Sequence, residues 1–302
     1  MQFRLFGPIE MWDDGRRVDL GHAKQQGVLV ALLMDTGHVV PTQVLMDRVW
    51  GHDPPNTALN VLYGYIARLR KVLAPAGVRL DRRSGGYCLD VKPEAVDVHR
   101  FRCLVAAAEK FGDTIVRASK LNEALALWRG PPFASTDSPW IAAVREALQG
   151  ELLSVVIARN HAYLCHGWHA ELVSPLLEMV ATHPSDERPV AQLMIALYRS
   201  GRMSEALEQY QRARQRLADE LGTEPSPYLR LLQQQVLRGD PLLHESSATP
   251  RRPMPDLVGV PATTLAGGVS AIGPASIQLR AIDATRGGRG YGRAEAVPDN
   301  GV

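Results

Sequence analysis

The chain has 302 residues, a formal net charge of +2, and 45% hydrophobic against 22% charged residues, which fits two ordinary folded domains and excludes a wholly disordered or fibrous chain. Its three cysteines, Cys88, Cys103 and Cys165, lie far apart without a CxxC pair, which speaks against a disulfide scaffold and for a reducing cytoplasm. No run of about 18 apolar residues occurs and the opening MQFRLFGPIEMWDDG has no apolar signal core, so no membrane partner is expected.

In chain order, Phe3, Leu5, Ile9 and Met11 alternate with polar residues, and Asp13-Asp14-Gly15 signals a hairpin whose second arm is 18–20. A small antiparallel sheet is the expected start. A helix over 23–36 follows, with Val28, Leu29, Leu32 and Leu33 as its apolar side and Gly37 as its stop. After the extended Val39-Val40-Pro41, Thr42 reads as the N-cap of a second helix over 43–50, closed by Gly51. Asp53-Pro54-Pro55 is a turn that redirects the chain.

Residues 56–73, NTALNVLYGYIARLRKVL, form the third helix. Leu59, Leu62, Ile66, Leu69 and Leu73 recur at spacings of three and four and define one buried stripe. The opposite side carries Asn60, Tyr63, Gly64, Ala67, Arg68 and Lys71, with no large aliphatic residue and with cations near the C-terminal end, where they also suit the helix dipole. Two short extended runs, 78–80 and 87–89, then flank a Gly-Gly pair as a hairpin. From Arg68 to Arg83 there are six Lys or Arg (Arg68, Arg70, Lys71, Arg79, Arg82, Arg83) against one acid, Asp81, a local excess of +5. A narrow helix with a small polar outer face and a basic hairpin beside it fits the major groove and the adjoining phosphates of duplex DNA. Taken alone, the same pattern fits a solvated helix and a charged turn equally well.

From 97 to 242 the pattern is helical, with candidate helices over 98–111, 115–128, 140–166, 170–182, 189–200, 204–221 and 227–237. An internal repeat of 34 residues relates Gly167 to Gly201, Leu172 to Ala206, Leu176 to Tyr210 and Met179 to Ala213. That is the period of tetratricopeptide (TPR) helix pairs, which stack into scaffolds and usually bind protein or hold neighbouring domains. Trp128, Tyr163 and Tyr198 read as packing residues. In HAYLCHGWH, His161 and Cys165 share a helix face, but Gly167 interrupts it and only Glu171 adds a carboxylate, so a structural role is favoured over a metal site. No nucleophile elbow and no GxxxxGK[ST] stretch occurs, so neither hydrolysis nor nucleotide binding has an anchor, and no enzyme activity or cofactor is expected. Residues 243–302 hold one aromatic, Tyr291, and are rich in Gly, Pro, Ala and Ser, which reads as a disordered tail. Within it RGGRGYGR (286–293) resembles a nucleic-acid patch, although a flexible solvated tail is the preferred reading.

The order strands, three helices, hairpin resembles the OmpR-type winged helix. LxALLxxxGxxV (29–40), LMDRVWG (45–51), the Pro-Pro turn, YIARLRKVL (65–73) and SGGYCL (84–89) carry the resemblance. The block after it, through DVHRF (97–101), ALALWRGPPF (124–133) and LADELGTEPSPYLRLL (217–232), resembles the bacterial transcriptional activator domain. The two together, over about 1–242, resemble the Streptomyces antibiotic regulatory protein (SARP) family. The expected fold is therefore mainly α with small antiparallel sheets: a winged helix-turn-helix over 1–93, then an all-α TPR-like domain over 97–242. The resemblance implies a cytoplasmic, nucleoid-associated transcriptional activator of a secondary-metabolite (antibiotic) cluster. It would bind direct repeats in promoter DNA, self-associate there and recruit RNA polymerase holoenzyme. The implied roles put Asn60, Tyr63, Gly64 and Ala67 at the bases, and Arg68, Arg70 and Lys71 near the backbone. Arg82, Arg83 and Ser84 fall in the wing, and Lys24 and Thr42 at helix starts facing phosphate. Relatives commonly carry Lys, Gln, Thr and Ser on the reading face, so readout here leans on Asn60, thymine methyls and DNA shape. A winged helix can instead dock protein, which the basic hairpin argues against, and the sequence does not separate activation from repression.

Overall fold

The structure, a computed structural model, describes residues 1–244. Most of the expected tail, including the RGGRGYGR stretch, lies outside the described residues.

The N-terminal half contains two three-stranded antiparallel sheets with three helices between them. The first joins β1 (Gln2–Arg4), β2 (Glu10–Asp13) and β3 (Arg16–Val18), in that order, with Phe3 opposite Met11 and Met11 opposite Val18. Period-two alternation explains why Phe3 and Met11 are buried while their neighbours face out. The β2–β3 turn is Asp14-Gly15, both residues at positive φ, as a tight two-residue hairpin demands. α1 (Ala23–Leu33) is nearly surrounded by protein and ends three residues before the expected last residue, 36. β4 (Val39–Pro41) leads into α2 (Thr42–Trp50), and α3 (Ala58–Leu73) follows the Pro-Pro turn. β5 (Arg79–Arg83) and β6 (Gly86–Asp90) form the wing, and β6 lies between β4 and β5. Gly86 is needed where it stands, because a Cβ there would come 2.2 Å from the Val40 carbonyl of the paired strand.

Two expectations are corrected here. Leu59 is not in the buried stripe of α3 but 41% exposed; Ala58 takes the inner position one turn before Leu62. The expected stripe fixed Leu59 from its spacing to Leu62, yet Ala58, Leu62 and Ile66 give the continuous i, i+4 row. Thr42 is the first residue of α2, not its cap: the flanking Pro41 makes no side-chain cap, and the Thr42 hydroxyl donates instead to Gly85 O at 3.2 Å.

The second half is helical: α4 (Asp97–Ala108), α5 (Thr114–Leu125), α6 (Pro139–Cys165), α7 (His169–Thr182), α8 (Glu187–Arg199), α9 (Met203–Leu221) and α10 (Pro227–Arg238). Asp113, Ser138, Asp186 and Ser226 cap α5, α6, α8 and α10 through their side chains, each accepting from a first-turn N–H. The repeat glycines Gly167 and Gly201 both take positive φ between successive helices, and Leu172, Leu176, Leu193, Ala206, Tyr210 and Ala213 are buried. Trp128, Tyr163 and Tyr198 are core residues as well. The fold extends slightly past 242, since Pro241–His244 form a 3-10 turn in which Leu243 is buried and its carbonyl accepts from Arg199 Nε at 2.6 Å. No described helix is long and apolar enough to cross a membrane.

The two halves share one core. Phe6 stacks on Trp128 at 4.0 Å, and both meet Phe101 edge-on, at 5.5 and 5.8 Å between ring centroids. The backbone N–H groups of Leu5 and Phe6 donate to the buried carboxyl of Asp97 at 2.8 and 3.1 Å. A second joint lies at the start of α6, where Ser138 Oγ donates to Arg48 O at 2.6 Å while the Arg48 guanidinium lies 4.7 Å from the Trp140 ring.

Candidate nucleic-acid interface

The buried side of α3 is Ala58, Leu62, Ile66, Leu69 and Leu73. Each of the four large side chains contributes about 1.5–3 kcal/mol on burial, enough to hold this helix against α1 without help from its outer face. That outer face is left to solvent: Leu59, Asn60, Tyr63, Ala67, Arg68 and Lys71 are exposed and Gly64 is half-buried. The helix interior does not need a glycine at 64, since a Cβ there would meet nothing within 4 Å.

The wing stands beside this face. Its turn is Ser84-Gly85, with Gly85 at positive φ, and Arg82, Arg83 and Ser84 are exposed. The Thr42 N–H and hydroxyl both donate to Gly85 O, so the start of α2 fixes the wing tip. The Arg82 guanidinium lies 6.0 Å from the Tyr63 ring, close enough to link wing and helix.

The six cations of this stretch fall into two groups. Arg70 Nε donates to Leu80 O at 2.7 Å and its guanidinium lies over Tyr87; Arg79 is tied to Asp90 at 2.5 Å. These two stabilise the helix–wing assembly. Arg68, Lys71, Arg82 and Arg83 make no hydrogen bond or ion pair among the described residues, and all four are exposed. Lys24 is also engaged internally: its ammonium donates to Val49 O at 2.8 Å, at the C-terminal end of α2, where the helix dipole favours a cation. Of the sequence-derived candidates, Asn60, Tyr63, Gly64, Ala67, Arg68, Lys71, Arg82, Arg83 and Ser84 therefore share one surface. Lys24, Thr42 and Arg70 support it from behind.

Sequence reasoning missed Leu59 as part of that surface. It stands one helical turn before Tyr63, and the pair forms an exposed apolar step beside Asn60. The signal available was Ala58, which competes with Leu59 for the inner position and wins by register. Elsewhere, His161 Nε2 and Cys165 Sγ are 3.8 Å apart. No group of three or more His, Cys, Asp or Glu side chains suited to a metal occurs among the described residues.

Residues 15–89 match the family model described as "Transcriptional regulatory protein, C terminal", and residues 96–237 match "Bacterial transcriptional activator domain". The regulatory protein AfsR of Streptomyces coelicolor is 42% identical over 252 residues, which cover 82% of this chain and 25% of that protein. The regulatory protein DnrI of Streptomyces peucetius is 36% identical over 254 residues, covering 80% of this chain and 93% of that one. Among solved structures, Mycobacterium tuberculosis EmbR in complex with a low-affinity phosphopeptide superposes with a TM-score of 0.74 at 32% identity, over 79% of this chain and 65% of that one. This chain spans about a quarter of the length of the AfsR proteins it matches.

A winged helix joined to an activator-type helical domain defines a transcriptional regulator. The chain belongs to the SARP family of transcriptional activators.

Proposed function

We propose that the chain is a sequence-specific, DNA-binding transcriptional activator in which α3 enters the major groove and the β5–β6 wing lies on flanking phosphate or minor groove. The observation that carries this reading is the separation of cations. Arg68, Lys71, Arg82 and Arg83 project from one surface without a hydrogen bond or ion pair among the described residues, while the other nearby cations brace it. Four such groups suit phosphate neutralisation, which is sequence-independent and salt-sensitive. Asn60 supplies hydrogen-bonding readout, Leu59 and Tyr63 offer apolar contact to thymine methyls, and Gly64 and Ala67 allow close approach. Family membership supports promoter direct repeats as the target, self-association on them, RNA polymerase as the partner, and control of a secondary-metabolite cluster in the cytoplasm. No catalytic constellation enters this reading.

The test is a gel-shift titration of the full chain against promoters of its own gene neighbourhood, at several salt concentrations with non-specific competitor. A specific shift with footprints on spaced repeats is expected. Arg68→Ala should weaken binding on every sequence and lower the salt slope by about one, whereas Asn60→Ala should change sequence preference. Identical salt dependence in Arg68→Ala and wild type would remove the phosphate role. The exposed Leu59–Tyr63 step also fits a protein partner, and absence of any salt-sensitive DNA binding would favour that alternative.

A further inference from the structure

A cavity of about 440 Å³ opens between α4, α5 and α6, well within the size range of small-molecule sites. Phe101, Leu121 and Val155 are buried residues of its floor, and Val105 and Ala158 form part of its sides. None of the residues of α3 or the wing contributes to it, so it is separate from the surface assigned to DNA.

Its charged residues are not equivalent. Arg102 and Glu151 close on each other in a two-pronged pair, Nε to Oε2 at 3.0 Å and a terminal nitrogen to Oε1 at 2.7 Å. Arg117 has no such partner. Its Nε is buried without an acceptor, and it forms no ion pair among the described residues. Of the two cations that line the cavity, Arg117 is therefore the one without a carboxylate partner among the described residues. Glu109, exposed at the end of α4, lies on the rim and disfavours a second negative group there.

We infer that this cavity binds a small amphipathic molecule, with its apolar body on Phe101, Leu121 and Val155 and a single carboxylate on Arg117. Phe101 is also the ring that packs edge-on against Phe6 and Trp128, so the occupant rests on the same side chain that joins the β1–β2 connection to the helices.

The experiment is isothermal titration of the full chain with 2-naphthoate and, as its neutral counterpart of the same shape, 2-naphthalenemethanol. The variants are Arg117→Gln and Ala106→Trp, the latter at an exposed position on the cavity wall, both checked for unchanged thermal unfolding. One saturable site per chain is expected, with 2-naphthoate bound about tenfold more tightly than the alcohol, the size of effect a charge-assisted hydrogen bond gives. Arg117→Gln should erase that preference, and Ala106→Trp should abolish binding of both. Absence of saturable binding, or unaltered binding in Ala106→Trp, would overturn the site. Equal affinity for the two probes, or a preference that survives Arg117→Gln, would overturn the role of Arg117.

Discussion

Arg70 Nε donates to Leu80 O at 2.7 Å, so a single side chain joins the outward helix of the winged-helix half to the first strand of its wing. Its guanidinium also lies 5.8 Å from the Tyr87 ring. Arg70→Ala should cost about 1.5–3 kcal/mol of stability, the range for a hydrogen bond to a charged group. DNA affinity should fall while the salt slope stays near that of wild type, because the lost group braces the wing and does not neutralise phosphate. Urea midpoints and salt-titrated gel shifts check this. A slope reduced as much as in Arg68→Ala would place Arg70 on phosphate instead.

Gly64 offers two readouts of opposite sign. A methyl at this position meets nothing within 4 Å and the backbone is helical, so Gly64→Ala should raise stability by about 0.5–1 kcal/mol. If α3 lies against base edges, the same methyl should weaken DNA binding. Thermal unfolding and gel shift on one preparation separate the effects. A more stable variant with unchanged DNA affinity would remove Gly64 from the contact surface.

Asp97 makes stability pH-dependent. Burial pushes its carboxyl up to about 6, against the opposing pull of the Phe6 and Leu5 N–H groups and of Arg129, whose guanidinium is 3.5 Å away. An acid raised above its unfolded value of 3.8 takes up a proton on folding, so its contribution is full below that value and declines as pH rises through about 6. Asp97→Asn should flatten this dependence. It should also cost about 1–3 kcal/mol at pH 7, because an amide NH2 replaces one accepting oxygen and is set among the N–H donors of Leu5, Phe6 and Arg129. Urea melts of both proteins at pH 4, 5, 6 and 7 provide the test. Parallel curves for the two would contradict it.

Phe6→Ala tests whether the halves share one core. Removing a fully buried ring stacked on Trp128 should cost about 3–5 kcal/mol. Tryptophan fluorescence and far-UV ellipticity should move together to lower urea. Helices that unfold at the wild-type midpoint while the N-terminal half melts early would mean that the two are energetically separate.

The helices were legible because their signals are local: apolar periodicity and glycines at the turns of the 34-residue repeat. Most observed bounds fall within a few residues of those expected, such as Pro139–Cys165 for 140–166. The site was legible as a surface but not in its division of labour. Spacing put Arg68, Arg70 and Lys71 together on α3, yet nothing local tells that Arg70 reaches Leu80 across the hairpin or that Lys24 reaches Val49. Such contacts depend on how elements pack, which sequence spacing does not encode. The same holds for Asp97: DVHRF was recognisable as a motif, but its carboxyl serves Leu5 and Phe6, just past β1 and more than ninety positions away.

The joint between Ser138 and Arg48 has a consequence for spacing on the double helix. If the chain binds repeated sites as proposed, the core that its two halves share there and around Phe6 makes the helical body leave each bound copy in a single direction set by groove orientation. Copies on repeats separated by whole helical turns would then present their bodies along one side of the duplex. Insertion of about five base pairs, half a turn, would carry the second body to the far side. Promoter activity should therefore oscillate with inserted length instead of declining smoothly.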